Sequence, residues 1–279
     1  MATAALYTPK SLAPEQLAFY REHGYLTPFR AVGTDETAAM RASLDAFEAE
    51  RGFSAGDIHM KGHLCFPWSH ALAARAEILD AVEDLVGPDI LLFASKFWIK
   101  PPHSERFVSW HQDSAYFGLD PHALAAVWIA LTDSNRSNGC MRVIPGSHRG
   151  TAHWHRETPD DDNLLGRGQT IEGLDESKAV DLELREGEFS IHHERTVHGS
   201  LPNGTDGPRI GLALFYIPTS VRSTIGRRAA TLVRGVDKFG HWDDEPAPEI
   251  DGDPAILEYM RAAQRRYHDP AYTQEASAG

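Results

Sequence analysis

Cysteine is nearly absent from this sequence. Cys65 and Cys140 are the two among 279 residues, too far apart to form a paired metal-binding or redox motif. That argues against a disulfide framework and a zinc knuckle, and a reducing cytoplasm is the compartment expected. No apolar run approaches the length of a membrane span, and the opening MATAALYTPKSLAPEQL lacks the charged segment and apolar core of a signal peptide, so no membrane partner is expected. Positive charge is in the minority: 27 Lys and Arg face 40 Asp and Glu, a net charge of −13. A nucleic-acid binder needs a basic face that displaces counterions from phosphates, so no nucleic-acid partner is expected either. Internal repeats, low-complexity linkers and breaks in composition are missing too, which predicts one domain over residues 1–279, as a monomer or small homo-oligomer. With hydrophobic residues at 42% a sizeable core can form, and disorder is expected only in the first few residues and in residues 273–279.

Histidine, by contrast, is plentiful, at 15 residues, and invites a search for a metal site. The surrounding pattern sets where such a site can lie. Ser11 followed by LAPEQLAFYREHGYL has apolar residues at helical spacing, with Pro14 suited to a first turn. A second helix is predicted over Asp35 to Arg51, ahead of Gly52, and a third over about Ala71 to Leu85, before Val86-Gly87-Pro88. Helices thus occupy about residues 11–87. From Pro88 the texture changes to short β-rich runs, DILLFASKFWIK, RFVSWHQD, LAAVWIALTD, CMRVIPG, AVDLEL, GEFSIHH and RIGLALFYIP, separated by turn residues such as Ser137-Asn138-Gly139 and Pro202-Asn203-Gly204. Strands following helices predict a mainly β, α+β fold: an antiparallel sandwich or jelly roll over about 88–218 with helices on one side. The polar, aperiodic stretch His153 to Lys178 reads as an insert, about residues 150–178, able to carry part of a binding site. Residues 219–279 form a C-terminal extension, with a final helix near Pro254 to Tyr267.

His111-Gln112-Asp113 places an imidazole and a carboxylate two residues apart, which in a strand puts both on one face and turns Gln112 away. His198, at a strand end in HHERTVHGS, can supply a third ligand. Two histidines and one carboxylate on one face of a metal leave positions open for a bidentate oxoacid and dioxygen, the arrangement of non-haem iron(II) oxygenases. The H-x-D spacing alone is a weak sign. It gains weight from Arg209, eleven residues after His198, in a segment whose Ile210, Leu212 and Leu214 suggest burial. A buried guanidinium needs an anion, and its fork suits a carboxylate.

Other histidines compete. His59 and His63 have helix-face spacing but no third ligand, and solvated surface histidines are the plainer reading. His153 and His155 fall in the polar insert, where a loop or substrate contact is more natural. His192 and His193 are nearer rivals, read as lying on the same strand as His198. His192 shares its parity and His193 does not, although a bulge would reverse this. Both are read as packing or supporting residues.

Taken in order, LAPEQLAFYREHGYL, ILDAVEDLVGPDILLFASKFWIKPP, FVSWHQDSAYF, VWIALTDSNRSNGCMRVIPGSHRG, VHGS and PRIGLALFYIP resemble the signatures of the phytanoyl-CoA dioxygenase family of iron(II)/2-oxoglutarate oxygenases. The resemblance implies a double-stranded β-helix core, iron held by His111, Asp113 and His198, and 2-oxoglutarate salt-bridged to Arg209. Lys96, Trp128 and Ser200 fall where family members line the cosubstrate or metal pocket. Trp98, Tyr116 and Phe117 are candidates for the substrate wall, with ordinary β-core packing as the alternative. A halogenating branch of the family carries a small residue where Asp113 stands, so hydroxylation is favoured here. The implied reaction consumes 2-oxoglutarate and O2, releases succinate and CO2, and hydroxylates a small metabolite. Desaturation, cyclisation, epimerisation, a non-catalytic cupin-like binding protein and a zinc hydrolase remain as alternatives. The acidic balance disfavours a large polyanion such as a CoA ester, unless the basic stretch Arg222 to Arg234 overrides it.

Overall fold

In the computed structural model the described residues are 8–268, apart from 59, 151 and 159. The end segments expected to be disordered lie outside that range. Helix α1 (Pro14–His23) stops at Gly24, whose φ of 81° suits a residue without a side chain. A Cβ there would stand 2.4 Å from His148 Nδ1. The chain then enters strand β1 (Tyr25–Arg30), so Tyr25 and Leu26 belong to a sheet rather than to the helix predicted across them. Helix α2 (Thr34–Arg51) matches its prediction. The third expected helix is two, α3 (Pro67–Ala73) and α4 (Ala76–Val86). They part at Arg75, which is extended (φ −67°, ψ 141°) and whose guanidinium reaches the Ala31 carbonyl and the Glu36 carboxylate. A tertiary anchor overrides the helical periodicity there.

The larger sheet has seven strands in the order β1, β10 (Glu188–His193), β5 (Ala125–Ala130), β12 (Arg209–Pro218), β2 (Ile90–Lys100), β14 (Ala229–Arg234) and β15 (Asp243–Asp244). All its pairings are antiparallel except β14 with β15. The smaller sheet runs β3 (Val108–His111), β11 (His198–Ser200), β6 (Met141–Val143), β9 (Val180–Leu182). Two ribbons complete the strands: β4 (Leu119–Asp120) with β13 (Arg222–Ser223), and β7 (Arg156–Glu157) with β8 (Gln169–Thr170). Helices α5 (Ser114–Phe117) and α6 (Pro254–His268) follow Asp113 and close the described chain. The β core therefore exceeds residues 88–218, since β1 comes from the N-terminal segment and β14 from the C-terminal extension.

The two faces of the larger sheet differ in kind. One carries Leu92, Val127, Ile129, Ile191, Leu212 and Leu214, buried against Phe47 of α2, Leu72 of α3, and Ile78, Leu79 and Val82 of α4. Each such side chain contributes about 1.5–3 kcal/mol by leaving water. The other face carries Ala94, Ala126, Ala130 and Ala213 with Trp128 and Phe215. Small residues there leave room inside the roll. Gly211 shows why: a Cβ on it would lie 2.0 Å from a Trp128 ring carbon, so only glycine lets the indole lean over β12.

Candidate metal and cosubstrate site

β3 and β11 pair so that His198 stands opposite His111. Together with Asp113 they bring three ligand atoms within 4.8 Å of one another, all buried. His111 Nε2 lies 3.6 Å and His198 Nε2 4.0 Å from Asp113 Oδ1. Each histidine is oriented from behind. His111 Nδ1 is 2.9 Å from the Ser109 carbonyl and His198 Nδ1 2.9 Å from the Thr196 carbonyl, contacts that require N–H donors and so leave both Nε2 lone pairs for a metal. Burial alone would raise the Asp113 carboxyl, but the surrounding His198, His111 and His192 imidazoles hold it well below the usual carboxylate range. Burial, then the neighbouring imidazoles of His111 and His192, pushes His198 far down, towards the neutral form that binds a metal.

The route by which Asp113 arrives differs from strand alternation. β3 ends at His111, and Asp113 has helical dihedrals (φ −57°, ψ −35°) ahead of α5. A turn, not a pleat, brings the carboxylate to the imidazoles. His192 and His198 likewise do not share a strand: His192 is on β10 in the larger sheet, so comparing their parity has no meaning. Its ring is nevertheless 4.5 Å from that of His198, and its Nε2 is 3.4 Å from Asp113 Oδ2. His193 turns elsewhere, accepting from the Arg195 amide. His63 is fully buried rather than solvated, bonded to Ser95 and Glu245, and His59 lies outside the described residues.

Behind the triad is a chamber of about 440 Å³, lined among others by His111, Asp113, Trp128, His198, Ser200 and Arg209. Arg209 is 2% exposed, its Nε has no hydrogen-bond partner among the described residues, and its guanidinium carbon is 5.3 Å from the Trp128 ring centre. Burial lowers this arginine to about 10. An orphaned buried guanidinium is costly, and a ligand carboxylate resolves the cost. Sequence reasoning missed Lys100, which is fully buried opposite Arg209 on β2. Its ammonium donates to Ser200 Oγ at 2.7 Å and to the Leu201 carbonyl, and burial, with Arg209 nearby, lowers it to about 6. Ser200 thus accepts from a lysine. The signal for Lys100 is its i+4 spacing from Lys96, which places both on one strand face.

Lys96 does not line that chamber. It lines a second, of about 940 Å³, together with Trp98, Tyr116, Phe117 and the insert residues Leu165, Arg167 and Gln169. His111, Asp113, Trp98 and Phe215 border both chambers, so the two meet at the triad. The insert is fastened over this region: His155 Nε2 accepts from the Gln112 amide at 2.9 Å, and the His153 amide donates to Gln112 Oε1 at 2.9 Å.

A model of the phytanoyl-CoA dioxygenase (PhyH) family matches residues 20–211. The chain belongs to this family. A probable alpha-ketoglutarate-dependent hypophosphite dioxygenase of Stutzerimonas stutzeri is 32% identical over 166 residues, which cover 59% of this chain and 58% of that protein's length. Among solved structures, the apo non-heme monooxygenase ThoJ is 34% identical with a TM-score of 0.80, covering 94% of this chain and 99% of its own. CytC3 with Fe(II) and alpha-ketoglutarate is 25% identical with a TM-score of 0.62, covering 82% and 91%. Membership in the phytanoyl-CoA dioxygenase family brings with it the jelly-roll core and the pairing of iron(II) with 2-oxoglutarate. The residues present fit both groups: two imidazoles and a carboxylate suit the metal, and Arg209, which no described carboxylate pairs, suits the cosubstrate's distal carboxylate.

Proposed function

We propose that this protein is an iron(II)- and 2-oxoglutarate-dependent dioxygenase that hydroxylates an aliphatic carbon of a small metabolite. The overall change is R–H + O2 + 2-oxoglutarate → R–OH + succinate + CO2. The observation that carries the reading is Arg209, a buried guanidinium with no carboxylate paired to it among the described residues, at the back of a chamber whose front wall is the His111, Asp113, His198 triad. A chain that only bound ligands through its fold would have no reason to combine these costs.

When bound, iron(II) with 2-oxoglutarate activates dioxygen and supplies the oxidant for C–H cleavage. The chain's residues hold and orient. His111 and His198 present Nε2 because backbone carbonyls fix their rings, Asp113 adds the charge that favours a divalent ion, and His192 borders its second oxygen. Arg209 clamps the distal carboxylate, with Lys100 and Ser200 beside it as further donors. Trp98, Tyr116, Phe117 and Phe215 wall the substrate chamber and limit water, which protects the reaction from wasteful turnover.

A small metabolite is favoured over a CoA ester because three of the four arginines in the basic stretch already face carboxylates. Arg222 pairs with Asp120, Arg227 with Asp243, and Arg234 with Asp80 and Glu83. To test the function, protein, iron(II) and 2-oxoglutarate are mixed without oxygen and the visible charge-transfer band of the chelate is sought. The band should form, and air with substrate should yield succinate and hydroxylated product. No band and no succinate would refute the proposal.

A further inference from the structure

We propose that the outer chamber takes a small substrate with an apolar body and an oxyanion group, carboxylate or phosphonate, and that Lys96 holds that group. This rests on the reading above, in which the chamber beside the triad receives the substrate.

Several buried or half-buried cations elsewhere in the protein have carboxylates. Lys61 is 2.6 Å from Glu245, Arg142 3.1 Å from Asp181, and Arg234 2.7 Å from Asp80. Arg209 and Lys100 lack them and belong to the inner chamber. Lys96 lacks one too, among the described residues, and belongs to the outer. Its ammonium donates to the Leu164 carbonyl at 2.8 Å and sits 4.0 Å from the Trp98 ring centre. A carbonyl dipole and an aromatic face soften a buried charge without neutralising it. Burial lowers Lys96 to about 8, so it keeps its proton at neutral pH and gains from an anion that restores its ordinary value.

A second observation falls on the same wall. Gln169 is 4% exposed, and its Oε1 has no hydrogen-bond partner among the described residues. Whichever way its amide is turned, it offers a ligand one more polar contact. The other cation on the wall, Arg167, is bonded to Glu157 and is largely exposed. Trp98, Tyr116, Phe117 and Phe215 make most of the wall away from the triad aromatic, and His111 and Asp113 close its metal end. One unanswered cation and one unanswered amide in an aromatic box describe an amphipathic acid better than a sugar or a neutral hydrocarbon. Lys96 is also poorly placed to serve the cosubstrate, since Arg209, Ser200 and Trp128 line the inner chamber and Lys96 does not.

Matched pairs test this directly: hexanoate, phenylacetate and indole-3-acetate against their primary amides, and phenylphosphonate against benzyl alcohol. Ligand-observed NMR on metal-free protein reads binding, and succinate formation by the iron-loaded enzyme reads coupling. Acids should bind better than amides by about ten- to a hundredfold, the range of a charge-assisted hydrogen bond. Which acid class wins separates carboxylate from phosphonate. Lys96→Met should erase that preference and leave the anaerobic 2-oxoglutarate titration unchanged, whereas Lys96→Arg should retain the preference, which shows that the charge and not the packing is read. Equal binding of acids and amides by the unaltered protein overturns the inference. So does a Lys96→Met variant that weakens 2-oxoglutarate as much as the acids. Acid-selective binding without a chelate band would instead refute the iron reading and leave the acid site standing.

Discussion

Arg209 and Lys100 stand opposite each other across β12 and β2, two buried basic side chains for which no described carboxylate provides a counter-charge. The free protein therefore carries an electrostatic cost that the cosubstrate removes. Arg209→Met is expected to stabilise the cosubstrate-free protein in urea by about 1–4 kcal/mol, the range seen when buried charges are replaced by apolar groups. The same change should weaken 2-oxoglutarate at least about tenfold for each charge-assisted bond lost, read by anaerobic absorption titration. A variant that is less stable and still binds tightly would contradict the clamp.

Lys100 gives the pH dependence of that event. Burial holds it at about 6 in the free protein, so it is mostly neutral at pH 7.5. A bound carboxylate favours the ammonium and raises the value, so binding takes up a proton in the window above about 6, and affinity falls as pH rises through it. Calorimetric titrations at pH 7.5 in buffers of different ionisation enthalpy should show this uptake. Lys100→Met should abolish it.

Asp113→Ala should remove the one negative charge at the triad. Iron(II) affinity is expected to fall by more than the roughly 10–100-fold typical of losing a supporting residue, and succinate formation should vanish. Metal analysis after anaerobic loading checks the first and a coupled succinate assay the second. Full turnover in this variant would mean that the metal sits elsewhere.

Gly211→Ala separates shape from charge. The added Cβ would meet the Trp128 ring at 2.0 Å, so the indole must shift. Overpacking of this kind costs about 1–3 kcal/mol. The 2-oxoglutarate dissociation constant should rise while the iron affinity of the triad holds, which paired titrations resolve.

Glu245 anchors the C-terminal extension to the core: Lys61 at 2.6 Å, His63 at 3.0 Å and the Thr231 hydroxyl at 2.8 Å all meet its carboxylate. Burial opposes its charge, but Lys61 and His63 lower it to about 2. Burial pulls Lys61 and His63 down in turn, and Glu245 lifts both part of the way back. A depressed carboxyl contributes stability above its ordinary value of about 4.5 and loses it as pH falls towards 2. Glu245→Gln should cost about 3–5 kcal/mol at pH 7, because Lys61 is left without a counter-charge. The urea midpoints of variant and parent should draw together as pH falls from about 4.5 towards 2.

The sequence made the site more legible than the path to it. His111, Asp113 and His198 converge, yet the strand alternation that linked the first two is replaced by a turn into α5, because a pattern of period two cannot say where a short strand stops. His192 and His198 read as one strand because Glu194 to Val197 carries no glycine or proline to mark the reversal. β1 was hidden behind a helical pattern that ends at Gly24. Lys100 escaped notice because burial of a lysine is a tertiary fact: its even spacing from Lys96 gives the two a common strand face but does not say that Lys100 is buried.

Gln112 lies between two of the ligand candidates and itself serves the other side of the chain. Its side chain donates to the Arg195 carbonyl and accepts the His153 amide, while its own amide donates to His155. The insert that covers the outer chamber is thus latched to the peptide that carries His111 and Asp113. Occupancy of the chamber and the posture of the metal ligands share one fulcrum, a single glutamine whose side chain never needs to touch the chemistry.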